Sequence, residues 1–148
     1  MKKLITLSFI PSLQNVGILT LRLWFGVGLL WIHGLDKVIH MGTTMDQFKS
    51  VGFSSFLAVC AILAENVGSF LVVIGLATRW AALAVATTMF VAFSQVHHFD
   101  LNPMNQPNGE LAFLYLGVFV SFILTGAGRF SVDAILSRPE PVYATTTT

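Results

Sequence analysis

Four long apolar runs, separated by short polar stretches, set the pattern of this chain. Residues 16–33, 56–76, 80–97 and 110–125 each approach the roughly 20 mainly apolar residues that a membrane-spanning helix needs. The pattern predicts an all-α protein, an integral membrane four-helix bundle. Only Ala77, Thr78 and Arg79 join the second run to the third, so those two helices must form an antiparallel hairpin. Between the first two runs lie about 20 residues that include Asp36, Lys37, Asp46 and Lys49. Residues 101–109, rich in Asn and Pro, form a turn region before the fourth.

Composition points the same way. Of the 148 residues, 55% are hydrophobic and 10% charged, where a soluble domain carries about a quarter charged. So few charges cannot coat a water-exposed surface, and the lipid bilayer is the expected solvent. A single cysteine, Cys60, excludes an internal disulfide framework and a C-x-x-C redox or zinc pair. The net charge of +1, without interleaved aromatic and basic residues, excludes nucleic acid as a partner.

The ends of the chain carry less information. Lys2 and Lys3 precede a short apolar stretch that Pro11 breaks, with no small-residue cleavage motif after it. Residues 1–15 therefore read as an uncleaved cytoplasmic or interfacial lead-in. The transmembrane domain is expected over residues 16–133, and residues 134–148, with Pro139, Pro141 and four closing threonines, as a flexible cytoplasmic tail. Lys2, Lys3, Arg79, Arg129 and Arg138 fall on one side, against Lys37 and Lys49 on the other. The positive-inside rule then places both termini in the cytoplasm, and the expected location of the multi-pass chain is a bacterial inner membrane.

Ionisable residues inside the runs carry the candidate chemistry. Arg22 and Glu65 would each cost roughly 2.5–3.5 kcal/mol at a helix centre, so neither should face lipid. Arg22, Gly26, Leu29, His33 and Lys37 share one helical face; Ala61, Glu65, Ser69 and Val72 share another. On the third helix the stripe is Thr87, Val91, Ser94 and His98, and on the fourth Glu110, Leu114, Gly117, Ser121 and Thr125. Four stripes of small and polar groups are expected to line one shared interior. His33, Asp36, Lys37, His97, His98, Asp100 and Glu110 would collect at its outer end, above Glu65. Trp24, Trp31, Phe93, Phe113 and Tyr115 would flank them. Adjacent His97 and His98 point about 100° apart, so only one can face inward.

Such a cluster suits a redox-active small molecule. Glu65, His33 and His97 are the candidate proton-transfer residues, and Arg22, Lys37, His98 and Glu110 the candidate binding residues. Arg22 is expected to contact Glu65, either as a structural ion pair that fixes register or to hold the carboxylate ionised and oriented. No i,i+4 His pair or H-x-x-E spacing supports a metal site, and none is assigned. A bis-histidine haem is disfavoured because the histidines stand only at the outer helix ends.

Leu21-Arg22-Leu23, Gly26 and His33-Gly34-Leu35-Asp36-Lys37 resemble the opening of the DoxX family of small four-helix membrane proteins. Glu65, Gly68, Gly75-Leu76, Thr78 and Arg79 are similar to that family's carboxylate and Gly-Leu-x-Thr-Arg ending. Gly126-Ala127-Gly128-Arg129-Phe130-Ser131-Val132-Asp133 resembles its closing Gly-x-Gly-x-x-Ser-x-Asp pattern. Together these cover roughly residues 16–133. Members include the small subunit of a thiosulfate:quinone oxidoreductase and a membrane partner of superoxide dismutase and a sulfurtransferase. The resemblance implies a membrane subunit of a quinone-linked oxidoreductase or oxidative-stress redox complex. A quinone would be the small molecule, with a redox partner protein and self-association as further expectations. The alternative is a non-catalytic scaffold or assembly factor, with the Arg22 to Glu65 contact fixing packing and Met45 to Phe56 docking a partner. No broken helix or inverted repeat favours a transporter.

Overall fold

A computed structural model describes residues 13–104 and 108–137. The expected lead-in, with Lys2, Lys3 and Pro11, and the tail from Arg138 onward lie outside the described residues. Six helices follow in order: α1 (Gln14–Ile39), α2 (Met41–Ser50), α3 (Ser55–Ile74), α4 (Thr78–Val96), α5 (Glu110–Thr125) and α6 (Val132–Leu136). Among the described residues there is no strand. Helices α1, α3 and α4 are long and apolar enough to cross a membrane. Helix α5 has 16 residues, about 24 Å at 1.5 Å per residue, against a hydrocarbon layer of about 30 Å. The chain is thus the all-α membrane bundle its apolar runs predict.

The first span departs from expectation at its end. Residues 34–39 look like the start of a loop, yet α1 runs on through them to Ile39. Lys37 finds a partner inside the bundle, as described below, so the helix gains by continuing. The stretch after it is also ordered: α2 occupies much of the connection, and Ser54 then caps α3 by accepting from the Leu57 N–H at 3.3 Å.

Leu29, Val72, Val85, Phe119 and Phe122 form the centre of the core. Helix α4 lies along α5, α1 packs on α3, and α1 meets α5 at few points. The expected stripes on α1 and α3 do turn inward: Arg22, Gly26, Leu29, Glu65, Ser69 and Val72 are all buried. The other two do not. Glu110, Leu114, Gly117, Ser121 and Thr125 are exposed, and α5 buries Ala112, Tyr115, Phe119 and Phe122 instead. Of the stripe expected on α4, Ser94 alone is buried and Thr87 and His98 are exposed, while Ala82, Val85, Ala86 and Met89 face the core.

The reason is that a helical hydroxyl can satisfy itself. Ser121 donates to Gly117 O at 2.9 Å, Thr125 to Ser121 O at 2.8 Å and Thr87 to Leu83 O at 2.8 Å. Bonded to the preceding turn, these groups can face lipid without an orphan donor. The interior is left to aromatic rings, which bury far more surface.

Arg22 is the largest fully buried side chain, at 1% exposure. It does not contact Glu65. Its Nε donates to Val72 O and its Nη2 to Val73 O, both at 2.8 Å. Its Nη1 donates to Ala127 O and Phe130 O, again at 2.8 Å. Val72 and Val73 belong to the last turn of α3, where carbonyls run short of helical partners; among the described residues Val72 O otherwise accepts only from the Gly75 N–H, at 3.2 Å. Helices α1 and α3 run antiparallel, so each step up α1 is a step down α3. Starting from Arg22 opposite Val73, the place opposite Glu65 lies several turns further along α1. The expected pair therefore gives way to an arginine clamp at the hairpin end.

The hairpin is held from the same side. Helix α3 stops at left-handed Gly75 (φ 73°), with Leu76 N–H returning to Leu71 O at 3.0 Å. A Cβ at Gly75 would collide with the Arg22 guanidinium. Ala77 is also left-handed (φ 47°), which costs an L-residue about 1–2 kcal/mol. The Asp133 carboxylate offsets this by accepting the Ala77 and Thr78 N–H groups at 2.7 and 3.0 Å, capping α4 from a distant part of the sequence. Burial alone would raise the Asp133 carboxyl. The Thr78 and Ala77 N–H groups and the Arg22 charge outweigh burial and hold it below the usual carboxylate range.

A group depressed in this way stabilises the fold above its unfolded pKa of about 3.9, and that contribution fades as pH falls through the folded value. Asp133→Asn is therefore expected to lower stability at neutral pH by about 1 kcal/mol, the usual worth of an N-cap. The gap to wild type should close below about pH 4. Thermal melts in detergent from pH 7 to pH 3 measure both; a gap that widens on acidification would refute the assignment.

Candidate functional site

Three of the spans change their winding part-way along or at their far end from the hairpin. Leu29–Gly34 in α1, Ala64–Gly68 in α3 and Ala92–Val96 in α4 are π-helical. The π winding adds a residue to the turn, as where His97 N–H reaches back to Ala92 O at 3.0 Å and Leu35 N–H to Leu30 O. Such turns are uncommon and frequent at functional sites. Here they carry His33 and Glu65 and immediately precede His97. Asn66 joins two of them, donating to Gly34 O at 3.0 Å and to Ile62 O at 2.8 Å.

Between the three segments and α5 lies a cavity of about 130 Å³. His33, Lys37, Glu65, His97 and Tyr115 line it, together with Leu29, Met89, Ala92, Leu111 and Ala112. An engineered apolar cavity of about 150 Å³ takes benzene, so this space fits one six-membered ring. Lys37 Nζ donates to both carboxylate oxygens of Glu65 at 2.6 Å. The Glu65 side chain is 4% exposed and that of Lys37 28% exposed, so the pair runs from the interior to the loop end. The His33 ring meets the Tyr115 ring edge-on, 6.1 Å between centroids, and Phe25 meets its other side at 5.8 Å.

Of the residues the sequence singles out, His33, Lys37, Glu65 and His97 come together around this cavity. Arg22 stands at the other end of the bundle. His98 and Glu110 are exposed and line no part of the cavity. Helix α4 ends at His97, and His98 and Phe99 take left-handed backbone (φ 49° and 60°), which turns His98 outward. Glu110 begins α5 on its outward side. As expected of neighbours on a helix, one of the two adjacent histidines faces in and the other out. Among the described residues no group of three His, Cys, Asp or Glu side chains could hold a metal ion.

The sequence profile of the DoxX family matches residues 17–98, which hold His33, Lys37, Glu65 and His97. The chain belongs to the DoxX family. It is 33% identical over 124 residues to the Bacillus subtilis protein named "Putative oxidoreductase CatD", covering 84% of this chain and 90% of that one. It is 26% identical to Escherichia coli inner membrane protein YqjF, over 86% of this chain and 97% of that one. A Haemophilus influenzae protein without an assigned role is 31% identical over 69% of this chain and 78% of its own length. No solved structure matches the chain.

One member of this DoxX site, Asn66, escapes a sequence reading, and Tyr115 is expected only as one of five flanking aromatics. Asn66 looks like an ordinary polar residue next to Glu65, and only the coincidence of two π turns gives it a task. Tyr115 is one of several aromatics near the cluster, and only the burial of its face of α5 marks it. A polar residue adjacent to a mid-span carboxylate was the one signal that could have pointed to Asn66.

Proposed function

We propose that this chain is the membrane subunit of a quinone-linked oxidoreductase, embedded in a bacterial inner membrane with both termini in the cytoplasm and its cavity opening outward. The convergence of Lys37, Glu65, His33 and His97 on one ring-sized space carries the reading. The name of the Bacillus relative supports redox work, and that of the Escherichia coli relative supports the membrane. Arg79 and Arg129 at the hairpin end, against Lys37 and Lys49 at the other, support the orientation.

A quinone takes up two electrons and two protons on reduction, the electrons here coming from a redox partner protein. The chain's own part is to bind the ring and handle protons. Met89, Leu29 and Ala112 exclude water from the ring faces. Half-buried Lys37 exchanges protons with water at the loop end, and Glu65 carries them inward. His33 and His97 stand on the same wall as further donors. The scaffold alternative loses its Arg22 to Glu65 contact, and no specific observation favours it.

The test uses purified protein in lipid nanodiscs. Wild type should bind a benzoquinone and, with its reductase partner, support quinone reduction. Glu65→Gln should retain folding and lower the reduction rate by roughly 100-fold or more, the usual scale for a general acid or base. Equal rates in the two proteins would remove Glu65 from the mechanism; absence of quinone binding by wild type would remove the function.

A further inference from the structure

We infer that the cavity's ligand is an amphiphile whose apolar tail leaves through a portal at Gly28 and lies in a groove on the lipid-facing side of α1, the Tyr115 hydroxyl bonding the ligand at the neck. This rests on the quinone reading and adds the tail, its path and a further binding residue.

Three observations meet at one point. A shallow groove of about 600 Å³ runs along α1, lined by Thr20, Leu23, Trp24, Val27, Gly28 and Ile32. It is apolar in effect, since the Thr20 hydroxyl is committed to Val16 O at 2.9 Å. Gly28 lines this groove, and the next residue, Leu29, lines the cavity. The two spaces thus approach each other across a single residue step that has no side chain on the groove side.

The second observation is the hydroxyl. Tyr115 is 7% exposed and lines the cavity. Its Oη stands 3.2 Å from where a Cβ at Gly28 would be. Among the described residues it makes no hydrogen bond; the oxygen is not fully enclosed, and a tyrosine hydroxyl inside a protein usually finds a partner. A ligand oxygen at the neck would supply one. The third is the packing: α1 touches α5 at few points, and the π turn of α1 begins at Leu29, directly after the portal.

Bilayer lipid alone could cover an exposed helix face. Continuity with a cavity through Gly28, beside an unpartnered hydroxyl, instead favours one molecule occupying both spaces. Its ring sits among Lys37, Glu65 and His33, and its tail lies across Val27 and Ile32.

The experiment compares a tail-less dimethoxy-methyl benzoquinone with its decyl derivative, titrated into nanodisc-embedded wild type and Gly28→Leu. The leucine fills the portal. It should weaken decyl-quinone binding by roughly tenfold more than it weakens the tail-less ring, the equivalent of about two buried methylenes, any loss shared by both ligands reporting how far the leucine crowds the Tyr115 hydroxyl. Tyr115→Phe should weaken both ligands severalfold at an unchanged melting temperature, since the hydroxyl has no protein partner to lose. Equal loss of both ligands in Gly28→Leu, or no loss of either, overturns the portal and leaves the groove to bilayer lipid. Unchanged affinities in Tyr115→Phe remove the hydroxyl from the neck. If wild type binds the tail-less ring but gains nothing from the decyl chain, the tail path fails while the quinone reading stands. If wild type binds neither, both fail. Should Gly28→Leu not fold, Val27→Trp fills the groove from its lipid side and is expected to give the same selective loss.

Discussion

Arg22→Ala is expected to remove most of the folded protein from the membrane fraction. The guanidinium serves four backbone carbonyls at 2.8 Å, on α3 and on the turn after α5. Each hydrogen bond to a charged group is worth about 1.5–3 kcal/mol. Arg22 is 1% exposed, so the carbonyls it leaves would be buried. Losing even two of the four would take a large share of the 5–15 kcal/mol that holds a typical protein folded. Arg22→Lys should recover only part of the loss, because an ammonium lacks the planar fork that spans carbonyls on two separate segments. Exchanging the charges, Arg22→Glu with Glu65→Arg, should rescue nothing, since the two groups have no contact to restore. Membrane abundance by immunoblot and melting in detergent measure the effect. Normal abundance of Arg22→Ala, or its recovery by the exchange, would contradict the clamp.

That experiment also marks where sequence reading succeeds and where it stops. Both buried charges were legible as buried, because the cost of an ion in hydrocarbon is a local property of the residue and its depth. Their partners were not legible, because pairing depends on the offset between two antiparallel helices. That both charges stand inside neighbouring spans made their contact plausible. A guanidinium, however, can be satisfied by carbonyls alone, and the frayed end of α3 beside a glycine turn offers them. Asp133 poses the same difficulty: its position after the last span gives no sign that it caps the start of α4, which lies far back in the chain.

Periodicity had a related limit. The inward faces of α1 and α3 followed from stepping three and four residues at a time. On α4 and α5 the same rule chose small and polar stripes, and the bundle buried mostly Ala, Val and Met on α4 and rings on α5 instead. Polarity is a weak guide in lipid when a serine or threonine can bond its own helix. The π turns shift the face further. An added residue in Ala92–Val96 brings His97 rather than His98 to the cavity, and a strict 3.6-residue period has no means of anticipating that insertion. Hydropathy boundaries alone did place His33, Lys37 and His97 towards one end of the bundle with Glu65 beneath them, and these four line the cavity.

Separating structural from chemical roles for the central pair needs a double-mutant cycle, and its outcome is expected to be asymmetric. Lys37→Met leaves the Glu65 carboxylate, 4% exposed, without its counter-charge. Breaking a buried pair from one side typically costs about 3–5 kcal/mol, because an uncompensated charge remains. Glu65→Gln should cost less, since Lys37 can turn its ammonium towards water at the loop end. Combining the two removes both charges, and stability should return close to wild type, as neutral replacements of buried pairs often permit. Quinone reduction should not return with it, because neither group can then carry a proton. Melting temperature and reduction rate, measured on the four proteins in nanodiscs, give the two readouts independently. A double variant that regains both would reduce Lys37 and Glu65 to a packing device, and the proton route would have to run through His33 and His97 alone.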